Sequence, residues 1–230
     1  MSDSAIEAAL APIRSASADR AFVVAQLGQS LDGRIALPSG ESRWINREAA
    51  LDHVHRLRAA VDAVVIGVGT AIADDPLLNV RRVSGRSPAR VVIDPSGKLS
   101  GKAKCLLAGD GAARFLVRET DGIAPEGVEV VAVAKVDGRL PPRAIVAALF
   151  ERGLRKLLIE GGAHTVSAFV EAGVVDRLHV LVAPVILGAG KPGLTLAPVA
   201  RLADARRPAT RVHVLGDGDV LFDCDLRVPG

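Results

Sequence analysis

The chain has 230 residues, 49% hydrophobic and 24% charged, with a formal net charge of +3, so it is long enough for a substantial globular core. Its lysines and arginines are spread out without aromatic interleaving, which argues against nucleic acid, and no apolar run nears the roughly 20 residues that span a bilayer. Two distant cysteines, Cys105 and Cys224, suit neither a disulfide framework nor a zinc site, and Met1 to Ser17 lacks a signal-peptide pattern; a cytoplasmic protein with two buried thiols is expected.

Taken in chain order, Ile6 to Arg14 reads as a short helix or loose arm, and the apolar run Ala21 to Leu27 as a buried strand. Ser30 to Gly40 carries Asp32-Gly33 and Pro38-Ser39-Gly40, which is turn chemistry. Asn46 is placed to cap a helix through Ala60, with Leu51, Val54, Leu57 and Arg58 at helical spacing. Asp62 to Gly67 is a second buried strand, followed by a short helix from Thr70. Further strands are expected at Arg90 to Ile93, Arg114 to Val117, Val128 to Val133, Lys156 to Ile159 and Arg177 to Ala183. Pro142 opens a helix to Arg152, and another runs from His164 to Ala172. Thr210 to Leu215 and Val220 to Leu226 flank Gly216-Asp217-Gly218-Asp219 and form a closing β-hairpin. Strands alternating with helices predict an α/β chain: a mostly parallel sheet covered on both faces, with an antiparallel edge.

In such sheets nucleotides bind beyond the carboxyl ends of strands. Ile66-Gly67-Val68-Gly69-Thr70 offers small residues and a helix start, although a tight turn explains it equally. Ile159-Glu160-Gly161-Gly162-Ala163-His164-Thr165 places two glycines before a helix, suited to a pyrophosphate, with Glu160 at the strand tip. Gly188 to Gly193 matches G-x-G-x-x-G, but Pro192 interrupts it and no helix follows, so a flexible loop near the cofactor is expected. Asp74 and Asp75 precede Pro76; no His or third acid stands near them, so no metal is expected. Arg58 and Arg81 form a candidate phosphate pair. No nucleophile-and-base pattern appears, and a hydride-transfer enzyme needs none.

These segments carry a resemblance. Gln26 to Ala36 contains S-L-D-G-R, followed by Ser39 to Ile45, His55 to Arg58, Asp62 to Arg81, Val91 to Asp94, Ile159 to Gly162 and Ala183 to Gly188. Their order and spacing resemble the pyrimidine reductase domain of riboflavin biosynthesis over nearly the whole chain after Arg20. The resemblance implies a three-layer α/β/α, dihydrofolate-reductase-like fold, with an arm over 1–20 and a single reductase domain over 21–230. It also implies a homodimer, with NADPH as hydride donor to the opened ribose of a phosphoribosylamino-pyrimidine. On the substrate side it implies Ser42, Arg58, Leu78, Arg81 and Glu160, the arginines holding the sugar phosphate. On the cofactor side it implies Gly28, Trp44, Thr70, Asp74, Ser96, Gly161, Gly162, Ala163 and Thr165. Glu160 and Asp74 are the catalytic candidates.

Many members carry Lys where this chain has Gln26, and Ser or Thr where it has Asn46. The fused zinc deaminase domain of bacterial relatives needs H-x-E and P-C-x-x-C, which this chain does not contain. Two alternatives stay open: a dihydropterin or dihydrofolate-like reductase using Glu160 or Asp32 against an amino-pyrimidine edge, and a catalytically silent ligand-binding paralogue, motivated by Gln26. Asp94 at a strand end points to NADH, whereas Ser96 and Lys98 suit a 2′-phosphate.

Overall fold

The computed structural model describes residues 3–43, 45–107, 109–120 and 122–229. In chain order the elements are α1 (Asp3–Arg14), β1 (Phe22–Ser30), β2 (Arg34–Ala36), α2 (Glu48–Ala60), β3 (Ala63–Gly67), α3 (Val68–Asp74), β4 (Ala89–Ile93) and α4 (Lys104–Leu107). They continue with β5 (Arg114–Arg118), β6 (Glu129–Ala132), α5 (Pro142–Glu151), β7 (Lys156–Glu160), α6 (Ala163–Glu171), β8 (Arg177–Ala183), β9 (Lys191–Pro192), β10 (Pro208–Val214) and β11 (Val220–Pro229).

The main sheet has nine strands in the order β10-β11-β8-β1-β7-β3-β4-β5-β6. All pairs from β8 to β6 are parallel, and β11 and β10 join antiparallel at one edge. The central strands are apolar on both faces because both faces are covered. On one side Val24, Val64, Val92 and Leu158 pack under α1, α2, α3 and α4. On the other, Ala25, Val65, Val91 and Ile159 pack under α5 and α6. The result is the expected α/β/α sandwich. Within it, α1 buries Ile6, Leu10 and Ile13 in the same cluster as Leu57 of α2 and Phe22 of β1.

Several boundaries differ from the sequence reading. The strand expected to end at Leu27 continues through Ser30, and within the segments expected as loops, Ser30 to Gly40 and Gly188 to Gly193, the short β2 and β9 pair with each other. Helix α3 begins at Val68, not Thr70. Asn46 does not cap α2; Arg47 is the N-cap residue and makes no side-chain cap bond. The Asn46 amide instead donates to Asp219 Oδ2 at 3.1 Å. The hairpin turn caps the helix in its place: Arg47 N donates to Asp219 Oδ2 and Ala49 N to Asp217 Oδ2, both at 2.8 Å. Carboxylates at a helix N-terminus satisfy its free N–H groups and complement its dipole, so this turn fixes the angle at which α2 crosses the sheet.

Candidate active site

The order of the strands brings two of the glycine motifs together. Because β7 inserts between β1 and β3, its tip lies beside the tip of β3. A Cβ on Gly162 would stand 2.6 Å from Thr70 Oγ1, and one on Gly67 would stand 2.4 Å from Thr165 Oγ1. Each motif's threonine therefore occupies the space that a side chain on the other motif's glycine would need. Gly162 also has φ +68°, where only glycine is unstrained. It is the N-cap residue of α6 and supplies no side-chain cap, so the first-turn amides at Ala163 to Thr165 are donors aimed past the strand tips. A side-chain-free cradle at a helix N-terminus is the geometry that a dinucleotide's pyrophosphate requires, so these residues fit a nicotinamide cofactor.

Beside this cradle, α2 delivers Arg58 onto Glu160. Arg58 Nε donates to Glu160 Oε2 at 2.8 Å and Nη2 donates to Oε1, a two-pronged ion pair whose side chains are 8% and 14% exposed. Arg58 Nη1 donates to the Asn79 carbonyl at 3.0 Å. Burial works against the charge on Arg58, but the adjacent Glu160 carboxylate outweighs it and raises the arginine's pKa. The guanidinium fork that the sequence assigns to a phosphate is thus closed on Glu160.

Arg81, by contrast, is exposed at the rim. Its Nη1 donates to Asn79 Oδ1 at 3.0 Å, and its backbone N–H donates to His55 Nδ1 at 3.1 Å. Burial, then the charges of Arg58 and Arg82, lower its pKa, the mark of a positive cluster around Asn79. Burial, then Arg58 and Arg81, hold the His55 pKa down at about 4. The loop leading here is shaped by two non-glycine residues with positive φ, Asp75 at 42° and Leu78 at 55°. Leu78 is buried in the α2-side core, which anchors the loop. Asp75 is held by the Lys104 backbone N–H at 2.8 Å.

The other candidates are placed as follows. Thr70 stands in the cradle. Asp74 is exposed at the end of α3. Ser42 is half-buried in the segment between β2 and α2, and Ser96 is exposed in the turn after β4. Gly28 is explained by Asn46, whose Oδ1 lies 1.9 Å from where a Cβ would be. Trp44 lies outside the described residues.

Two acids proposed for ligands are engaged by the protein. Asp94 is fully buried and accepts from the Lys98 and Leu99 backbone N–H groups at 2.8 and 3.1 Å. Its carboxylate closes the turn after β4 and is not free for a ribose hydroxyl. Asp32 accepts from the Ser30 hydroxyl at 2.6 Å and from the Leu187 and Gly188 N–H groups at 3.0 and 2.8 Å. Those bonds hold its pKa at about 2 and pin the loop before β9.

Sequence reasoning missed a polar row across the sheet. Glu160 on β7 is in register with Gln26 on β1, Gln26 with His179 on β8, and His179 with Asp223 on β11. Register partners share a face, here the face under α2. His53 of α2 stacks on His179, with Nε2 3.0 Å from Nδ1, and Arg177 donates to Asp223 through Nε at 2.9 Å and Nη2 at 2.6 Å. Only the strand order reveals this row; spacing in the sequence carries no trace of it.

A family model described as the RibD C-terminal domain matches residues 21–213. The chain belongs to the RibD C-terminal domain family. It is 33% identical over 210 residues to the 2,5-diamino-6-ribosylamino-4(3H)-pyrimidinone 5′-phosphate reductase of Methanothermobacter thermautotrophicus, covering 86% of this chain and 95% of that protein. To the riboflavin biosynthesis protein RibD of Escherichia coli K12 it is 32% identical over 199 residues, 80% of this chain and 54% of that protein. The chain spans about half the length of the curated RibD relatives it matches. Among solved structures, a deaminase/5-amino-6-(5-phosphoribosylamino)uracil reductase from Thermotoga maritima superposes with a TM-score of 0.78 and 28% identity, over 92% of this chain and 57% of that one. The family's reductase fold and the fold built above from strand order are the same.

Proposed function

We propose that this chain is an NADPH-dependent pyrimidine reductase that converts a 5-amino-6-(5-phosphoribosylamino)uracil-type substrate to its ribitylamino product in riboflavin biosynthesis. The observation that carries this reading is the crevice itself: a glycine–threonine cradle at the N-terminus of α6 beside the Arg58–Glu160 pair, with Arg81 exposed at the rim. The near full-length match to an archaeal reductase supports it.

When bound, NADPH supplies the hydride that the opened ribose accepts at C1. The protein's part is binding and orientation. The amides of Ala163 to Thr165 hold the pyrophosphate, and Thr70 shapes the floor against Gly162. Arg58 acts as a positioning residue, turning the Glu160 carboxylate toward the polar edge of the pyrimidine. Arg81, whose guanidinium keeps free donors, takes the sugar phosphate. Ser42 and Asp74 are accessible from solvent and line the approach, while the buried Leu78 side chain anchors the loop that carries Asn79 and Arg81. Choice of NADPH over NADH is supported by Asp94, whose carboxylate is closed on its own turn, while Ser96 and Lys98 remain exposed beside it for a 2′-phosphate.

The homodimer implied by the resemblance has a candidate surface. On the face of β8, β11 and β10 turned away from α2, Val180, Val182, Val220, Phe222, Val212 and Val214 fall in register, and the last two are 56% and 66% exposed. An apolar strip of this kind on a sheet face marks an association site, and sedimentation equilibrium of the chain reads a dimer mass if it is one. Buried free thiols at Cys105 and Cys224 suit a reducing compartment such as the cytoplasm, and no helix among the described residues is long and apolar enough to cross a membrane.

The test is NADPH oxidation by the purified chain with a panel comprising the phosphoribosylamino-uracil, its diaminopyrimidinone counterpart and dihydrofolate. Turnover is expected on the phosphorylated pyrimidines. Turnover on dihydrofolate alone, or on none of the three, overturns the reading. Asp32 offers a pterin no free carboxylate, given the three donors it already accepts from.

A further inference from the structure

At the end of the sheet opposite Glu160, a cavity of about 650 Å³ opens between α1 and the β10–β11 hairpin. Its floor is Phe22, the first residue of β1, whereas the crevice described above lies past the carboxyl ends of the same strands. The length of a strand separates the two. The volume falls within the roughly 300–1,000 Å³ range of small-molecule sites.

The chemistry of its lining divides in two. One wall is formed by Ala8, Ala11 and Pro12 of α1, small and apolar. The mouth carries Arg20, Arg211 and Arg227, and among the described residues no carboxylate lines the cavity. Two of these guanidinium groups are fixed in place. Arg20 is backed by Asp176 at 2.8 Å. Arg227 is backed by Asp225 at 2.8 Å and lies 5.5 Å from the centre of the Phe22 ring, within cation–π range. Each ion pair uses part of a five-donor fork and leaves N–H groups for a ligand. Arg211 is exposed on β10, and its side chain makes no ion pair or hydrogen bond among the described residues. Asp176 and Asp225 balance two of the three charges, so the unbalanced positive charge is that of Arg211, which attracts an anion to a concavity where Arg20 and Arg227 add N–H donors. A phosphate, with two charges and oxygens facing several directions, accepts from donors on several arginines, whereas a carboxylate is satisfied by one fork.

We propose that this cavity is a second ligand site, for a small organic phosphate. The phosphate is held by Arg20, Arg211 and Arg227, and the carbon portion lies along Ala8, Ala11 and Pro12. The site is independent of the reaction proposed for the crevice.

The test is titration of the full chain with adenosine 5′-phosphate, and separately with inorganic phosphate, followed by backbone amide NMR. Saturable shifts are expected at Ala11, Ser17 and Arg211, weakening as salt is raised. Arg211→Ala should weaken adenosine 5′-phosphate by about tenfold or more, the scale of one charge-assisted hydrogen bond, while NADPH turnover stays unchanged. Ala11→Phe, which fills the apolar wall, should weaken the nucleotide and leave inorganic phosphate binding intact. Shifts confined to Gly67 and Gly161 to Thr165, or affinity unchanged in Arg211→Ala, would overturn the proposal. Binding of inorganic phosphate without the nucleotide would overturn the ligand class.

Discussion

Arg58 on α2 and Glu160 at the tip of β7 meet through two N–H···O bonds, although 102 residues separate them in the chain. The pair ties the helix to the strand beside the cofactor cradle, so its loss should be felt in both stability and activity. Arg58→Ala leaves a mostly buried carboxylate unpaired, and chemical denaturation should show a loss of about 2–4 kcal/mol. Arg58→Lys keeps the charge but not the fork and should fall between. Equal stability of the alanine variant and the parent would show that the pair holds nothing in place.

Arg81 is exposed, so Arg81→Ala should change stability by less than about 0.5 kcal/mol. Its effect should appear in kinetics. One lost charge-assisted contact raises KM for the phosphorylated pyrimidine by about 10- to 100-fold, with the affinity for NADPH nearly unchanged. Unchanged KM and kcat would remove Arg81 from the site.

Gly162→Ala should damage the cradle. The new Cβ meets Thr70 Oγ1 at 2.6 Å on a backbone with φ +68°, and the combined strain is about 1–3 kcal/mol. Weakened NADPH binding should exceed any change in substrate KM. Removing the clashing hydroxyl with Thr70→Ala should restore part of the loss. Fluorescence titration with NADPH reads both variants.

His53 makes stability pH-dependent. It is fully buried, and burial, followed by the neighbouring His179, lowers its pKa to about 3. The unfolded chain takes up that proton near pH 6.5. A depressed folded pKa means the contribution is complete above about pH 6.5 and is lost progressively as pH falls toward the folded value, at up to about 1.4 kcal/mol per pH unit. His55, depressed to about 4, acts in the same direction. Urea midpoints at about pH 7.5 and about pH 5 should differ accordingly, and His53→Gln should flatten the difference. An equal slope in that variant would place the pH dependence elsewhere.

Much of the fold could be read from local pattern. The runs at Ala21 to Leu27, Asp62 to Gly67 and Lys156 to Ile159 are apolar on both faces, which is what central parallel strands require. Pro142 marked the first turn of α5. What local pattern could not supply were partners distant in sequence. Asn46 has the chemistry of an N-cap, but the caps of α2 come from Asp217 and Asp219 in the hairpin turn. The two glycine motifs were each legible, yet the packing of Gly67 on Thr165 and Thr70 on Gly162 depends on β7 inserting beside β3. Gln26, His179 and Asp223 read as isolated polar residues within apolar runs until the register aligns them.

The most direct measurement follows the hydrogen itself. The chain is incubated with the phosphoribosylamino-uracil and NADPH carrying deuterium at nicotinamide C4, and the product is analysed by mass spectrometry and NMR. A ribitylamino product with deuterium on ribityl C1 is the predicted result. Consumption of NADPH without that label, or no product from any phosphorylated pyrimidine, would contradict the assignment of this crevice to ribose reduction.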